Sequence, residues 1–148
     1  MAKRILALAL ALNVASASAD ELLVITGLDE PKANLNRKQL ENIFLRKSLI
    51  NNNGVGWIPL NLPPDNPLRV AFSETLLKLP PNILEAYWNE QYFNGISPPH
   101  VLASEEAVIR FVSTTPGAIG YILPCHLDKR VKVLVNLPTV HLLKNLCQ

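Results

Sequence analysis

Two short stretches carry residue types that hold small anions. Asp65-Asn66-Pro67-Leu68-Arg69 places a capping side chain, a proline and, one turn on, a guanidinium at the start of a helix. A helix N-terminus presents unpaired backbone N–H groups and the positive end of the helix dipole, so an anion is favoured there. Arg69 can grip a phosphate or carboxylate with two parallel hydrogen bonds; its plainer reading is a solvated surface arginine. Asp65 can accept a ligand proton, although it or Asn66 is equally suited to cap the helix. The second stretch is Ala103 to Ala107. Ser104 is either a ligand donor or an N-cap, with Glu105 and Glu106 in the first turn, where the dipole favours acids. Thr26, followed by Gly27, ends an apolar run and lines the same edge or makes a simple turn. The candidate ligand-binding set is therefore Asp65, Asn66, Arg69, Ser104 and Thr26.

Other chemistry finds no foothold. There is no G-x-S-x-G elbow, no Walker A loop and no G-x-G-x-x-G. Cys125 and His126 are adjacent, but no second pair stands at metal-ligand spacing. No catalytic residue, metal or cofactor is assigned, and the expectation is a protein that is not an enzyme. Thr114 and Thr115 read as loop polar residues. Tyr87, Trp88, Tyr92 and Phe93 cluster on one helix, where core packing is the expected role and a partner-binding patch the alternative.

The elements that must position these residues alternate between two periods. Leu22 to Thr26 reads as a buried strand, Asn36 to Arg46 as a helix opened by an Asn36/Gln39 capping box, and Trp57 to Leu62 as a strand. Asp65-Asn66-Pro67 starts a helix that ends before Pro80-Pro81; the next runs through Ile83 to Gln91 and stops at Asn94-Gly95. His100 to Ala103 is a short strand, and Ser104 opens a helix with Val108, Ile109, Phe111 and Val112 on its buried side. After the Pro116-Gly117 turn, Ala118 to Leu123 and Val131 to Val135 are strands. The tail from Thr139 to Leu146 fits a short helix or a strand. This order predicts an α/β domain with helices on a mainly parallel or mixed sheet. Ligands in such sheets sit at the carboxyl ends of strands beside helix N-termini.

The chain is 148 residues long with 14 basic and 12 acidic side chains. Its first nineteen residues have the order of a secretory leader: Lys3-Arg4, the apolar run Ile5 to Leu12, then Ala17 and Ala19 in an A-x-A arrangement. The apolar run is too short to span a bilayer, which takes about 20 residues. Residues 1–19 thus read as a signal peptide cut after Ala19 and residues 20–148 as one domain, periplasmic or secreted and not membrane-spanning after cleavage. Lys3 and Arg4 leave with the leader, so 12 basic residues face the 12 acidic ones. That balance argues against nucleic acid as a partner. Cys125 and Cys147 can close a disulfide in an oxidising compartment or stand as separate thiols.

The run LNRKQLENIFLRK (35–47), followed by a strand, a loop and a helix start, then SEEAVIRFVSTTPGAIGYI (104–122), resembles the phosphate-binding component of bacterial ABC transporters and, more broadly, the type 2 periplasmic-binding-protein superfamily. The resemblance covers most of residues 20–148. It implies a periplasmic solute-binding role, with phosphate or another small oxyanion as ligand and a membrane transporter or envelope protein as partner. It departs from the family in two ways. Full-length members have two lobes, and this chain holds one lobe's worth of sequence, which can present a half-site but cannot close on a ligand. The family's Gly/Ser/Thr-rich oxyanion loop reads here Asp65-Asn66-Pro67-Leu68-Arg69, and Pro67 has no N–H to give. The alternative implied is an envelope interaction or assembly protein that keeps the fold without a ligand.

Overall fold

The computed structural model describes residues 20–31, 33–141 and 143–147; the expected signal peptide lies outside them. The strands are β1 (Asp20–Gly27), β2 (Ile58–Asn61), β3 (His100–Val101), β4 (Ala118–Ile122) and β5 (Val131–Thr139); the helices are α1 (Arg37–Phe44), α2 (Pro67–Phe72), α3 (Leu84–Phe93) and α4 (Glu105–Thr114). They form one mixed sheet of order β3-β2-β4-β1-β5 flanked by helices. β2 is parallel to β3 and β4, whereas β1 is antiparallel to both β4 and β5.

Adjacent residues of β4 show how the layers are built. Side chains alternate across a strand. A Cβ on Gly120 would press on Val108 of α4, while the next residue, Tyr121, stacks on Phe72 of α2 with ring centroids 3.8 Å apart and lies near Phe44 of α1. So α4 covers one face and α1 with α2 the other. α4 buries Val108, Ile109 and Val112, and α1 buries Leu40, Ile43 and Phe44. Gly117 has φ +78° and its missing Cβ leaves room for the Gly56 carbonyl, so both conformation and space require glycine in the PGAIGY turn.

Local signals account for the helix starts. In α1 the Asn36 side chain accepts from the Gln39 N–H and the Gln39 side chain accepts from the Asn36 N–H, each at 2.9 Å. The helix opened by Pro67 is shorter than its apolar stripe suggests: after Phe72 it widens into a π-helical turn, Ser73–Leu77, and ends at Lys78 with φ +64°.

The ambiguous tail resolves into both options in turn. β5 continues to Thr139, and a 3₁₀ turn then covers Lys144–Cys147. Cys125 and Cys147 are joined as a disulfide, with Cα atoms 6.0 Å apart. β5 is an edge strand, and three features blunt it: a bulge opposite Val24/Ile25, Pro138, and Lys132, whose Nζ turns to the carbonyls of Leu28 and Glu30.

The aromatic residues of α3 correct an expectation. Only Leu84 of that helix is buried; Tyr92 and Phe93 are 69% and 89% exposed rather than in the core. Tyr87 anchors the helix through its hydroxyl, which donates to the Leu45 carbonyl at 2.7 Å. Burial, with Glu90 nearby, raises the pKa of that phenol.

Candidate functional site

The parallel strands β2, β3 and β4 all run out to one edge of the sheet. There the chain passes into Pro63-Pro64-Asp65-Asn66 after β2, into Ser104 after β3, and into Leu123-Pro124-Cys125 after β4. Asp20 and Glu21 reach the same rim, because β1 runs the opposite way. Four of the five candidate residues belong to the loops and helix starts of this rim.

Each of those four is placed by the fold, and three are used by it. Asn66 is the N-cap of α2: its Oδ1 accepts from the N–H groups of Leu68 and Arg69 at 2.9 and 3.4 Å. Ser104 is the N-cap of α4, and its Oγ accepts from Ala107 N at 3.1 Å. Asp65 is exposed beside the Asn66 cap. Arg69 is not the solvated surface residue of its plainer reading. It is 7% exposed, and its guanidinium turns inward, donating from Nη1 to the Leu62 carbonyl at 2.9 Å and from Nε to Ser73 Oγ at 3.2 Å. Burial pushes its pKa down, opposed by the nearby Tyr121.

Thr26 is not part of the rim. It pairs with Ile119 near the start of β4, and its hydroxyl donates to the Ala118 carbonyl at 3.0 Å. The antiparallel direction of β1 carries its last residues to the opposite edge from Asn66 and Ser104. The expectation that Thr26 lines the same edge is therefore corrected.

Beneath the rim lies a polar cluster that the residue pattern did not single out. The Tyr121 hydroxyl donates to Asn61 Oδ1 and accepts from Leu62 N, both at 3.2 Å. Tyr121 is fully buried, and desolvation pushes its phenol well above the ordinary range. The carboxylate of Glu105 braces the next strand end: Oε1 accepts from Leu123 N at 2.6 Å, and Oε2 lies 3.0 Å from His126 Nδ1. Its place in the first turn of α4 was readable, but its partners lie about twenty residues downstream, beyond the reach of a local pattern. Farther along, Arg130 bridges Glu106 and Asp128, holding both carboxyls below their usual range.

The rim's chemistry follows from this inventory. Pro63, Pro64, Pro67 and Pro124 offer no N–H. In α2 Asn66 occupies the N–H groups of Leu68 and Arg69, in α4 Ser104 occupies that of Ala107, and Glu105 occupies that of Leu123. Asp20, Glu21, Asp65, Glu105 and Glu106 add negative charge, with Lys144 against Asp20. Among the described residues no group of three or more His, Cys, Asp or Glu side chains is arranged to hold a metal ion, and no helix is long and apolar enough to cross a membrane.

No protein-family model and no curated protein matches the chain. Solved structures do. An ABC-type phosphate transport receptor from Vibrio cholerae superposes with a TM-score of 0.63 at 18% identity, over 78% of this chain and 45% of that one. PstS from Borrelia burgdorferi gives 0.60 at 19% identity, over 78% and 46%. A third structure, from Clostridium perfringens and holding bound phosphate, gives 0.60 at 18% identity, over 78% and 44%. The chain thus spans less than half the length of the proteins it superposes on. What it shares with them is a fold: a five-stranded mixed sheet flanked by helices.

Proposed function

We propose that this chain is an extracytoplasmic, non-enzymatic binding module that keeps the phosphate-receptor fold and presents its strand-end rim to a protein of the cell envelope, rather than holding phosphate by itself. A leader over residues 1–19, cut after Ala19, delivers it to the periplasm or the exterior. The observation that carries this reading is the state of the hydrogen-bond donors at the rim. Asn66 and Ser104 cap their own helices, Arg69 points into the interior, and Pro67 has no N–H. An oxyanion leaving water needs several free donors converging on it, and the exposed Asp65 carboxylate opposes it. The test is isothermal titration of Asp20 to Gln148 with phosphate, with sulfate as control, alongside capture from envelope extracts. The reading expects no saturable heat and a stable protein partner. Saturable phosphate binding, or a monomer that captures nothing, overturns it.

One observation favours a second reading, recognition of phosphate or a related small oxyanion in an ABC-transport role. The structural neighbours include one with phosphate bound, and the chain matches less than half of each. A second copy or another chain would then supply the missing half-site, with Asp65, Asn66, Arg69 and Ser104 on this side of it and Thr26 remote. Light scattering with and without phosphate tests this: phosphate-dependent association supports it, and an unchanged monomer refutes assembly of the site from two copies.

A further inference from the structure

After Thr139 the chain does not continue along β5 but folds back beneath the rim. Several attachments hold it, among them His141 Nε2, which lies 2.7 Å from Glu74 Oε2, Lys144 Nζ, 3.6 Å from Asp20 Oδ1, and Leu146, packed partly buried against the core. The Leu143 side chain is buried, 4% exposed. The N–H groups of Leu143 and Lys144 donate to Asp20 Oδ2 at 2.5 and 3.2 Å, at the first residue of β1. Cys147 is bonded to Cys125, just past the end of β4. Between these attachments lies a cavity of about 290 Å³, lined by Asp20, Leu123, Pro124, Leu143 and the disulfide, and mostly apolar. These non-covalent attachments sit at the end of the domain and must offset the chain entropy lost in ordering the segment, which the covalent bond reduces. Both cysteines are exposed to solvent, so the covalent attachment is open to attack.

We infer that Val140–Cys147 is a reduction-released strap: the disulfide keeps it closed over the cavity, and a dithiol reductant opens it without unfolding the sheet. The exchange balances within the reductant and the cystine. One reductant thiolate attacks a sulfur of the pair, and the other leaves as a thiolate. The second reductant thiolate then attacks the reductant sulfur of the mixed disulfide, the bond to the protein breaks, and the second cysteine leaves as a thiolate. Two electrons pass to the protein, Cys125 and Cys147 become thiols, and the reductant ends as its own disulfide. Release separates the tail from Asp20 and uncovers Leu123 at the end of β4, where Glu105 and His126 meet. Release takes Leu143 out of the core cluster but leaves the sheet paired, because β1 is held along its length by β4 and β5. The inference does not depend on the function proposed above.

Limited trypsin digestion of the chain, oxidised or treated with dithiothreitol, tests it by the rate of cleavage after Lys144. Local opening of a tethered end expects that rate to rise on the order of tenfold on reduction. Amide exchange at Leu143 and Lys144 should accelerate in step, while amides of β1 and β4 keep their protection. A Cys125→Ser/Cys147→Ser variant should behave as the reduced protein even in oxidant. Equal cleavage in both redox states overturns the strap. Loss of protection in β1 and β4 together with the tail also overturns it, since the disulfide would then staple the whole domain.

Discussion

The guanidinium of Arg69 lies in the interior among neutral acceptors, whereas that of Arg130 lies at the surface between two carboxylates. Arg69 meets the Leu62 carbonyl and the Ser73 hydroxyl close to Tyr121, and burial lowers its pKa. Arg130 meets Glu106 and Asp128, which raise its pKa while it lowers theirs. Charge pairing is stronger on paper at Arg130, yet water and salt screen it there. At Arg69 the hydrogen bonds are fewer, but each closes a buried group that has no water to fall back on. Burial, more than charge count, decides which arginine the fold depends on. It also explains why an arginine at a helix start turns its guanidinium inward rather than to solvent.

Substitutions can break or sharpen that contrast. Arg69→Ala should destabilise by about 2–4 kcal/mol in urea unfolding, because it opens a cavity and strands the Leu62 carbonyl. Arg69→Met, which keeps the volume and removes the charge, should cost clearly less. If both match Arg130→Ala, the interior arginine has no special weight. Tyr121→Phe leaves Asn61 and Leu62 N without their shared partner and should cost about 1–2 kcal/mol. Asn66→Ala should cost about 1 kcal/mol through the lost cap; unchanged melting would show that Asp65 takes over the role.

Arg130→Ala should have the smallest effect, and one that shrinks in high salt. Its pH dependence has a definite sign. Glu106 and Asp128 have folded pKa values below their ordinary ones, so the stability they contribute is present above the ordinary carboxylate range. It is lost as pH falls through the lowered folded values. Wild type and Arg130→Ala should therefore differ at neutral pH and converge in strong acid, in paired denaturation curves.

What could be read from the residues alone was set by how far each interaction reaches along the chain. Asn36, Asn66 and Ser104 act on N–H groups two or three residues away, and all three are caps in the structure. The alternating strands and helices likewise appear where periodicity places them. Thr26 was misplaced because its edge depends on strand direction, and β1 is antiparallel to β4. Arg69 was misplaced although its partners, Leu62 O and Ser73 Oγ, are close in the chain, because the way its guanidinium turns follows from how α2 packs on the sheet, where Phe72 stacks on Tyr121. Tyr92 and Phe93 have core-type side chains but sit at the end of a helix whose only buried residue is Leu84, near its start.

The central place of β1 bears on how the protein comes into being. Both its hydrogen-bonding neighbours, Ala118–Ile122 and Val131–Thr139, lie far downstream of it in the chain. Until those residues leave the ribosome, Leu22 to Ile25 have no sheet to enter, and pairing must close loops that run most of the length of the domain. Formation of the sheet around β1 thus waits until the residues of β4 and β5 have been made.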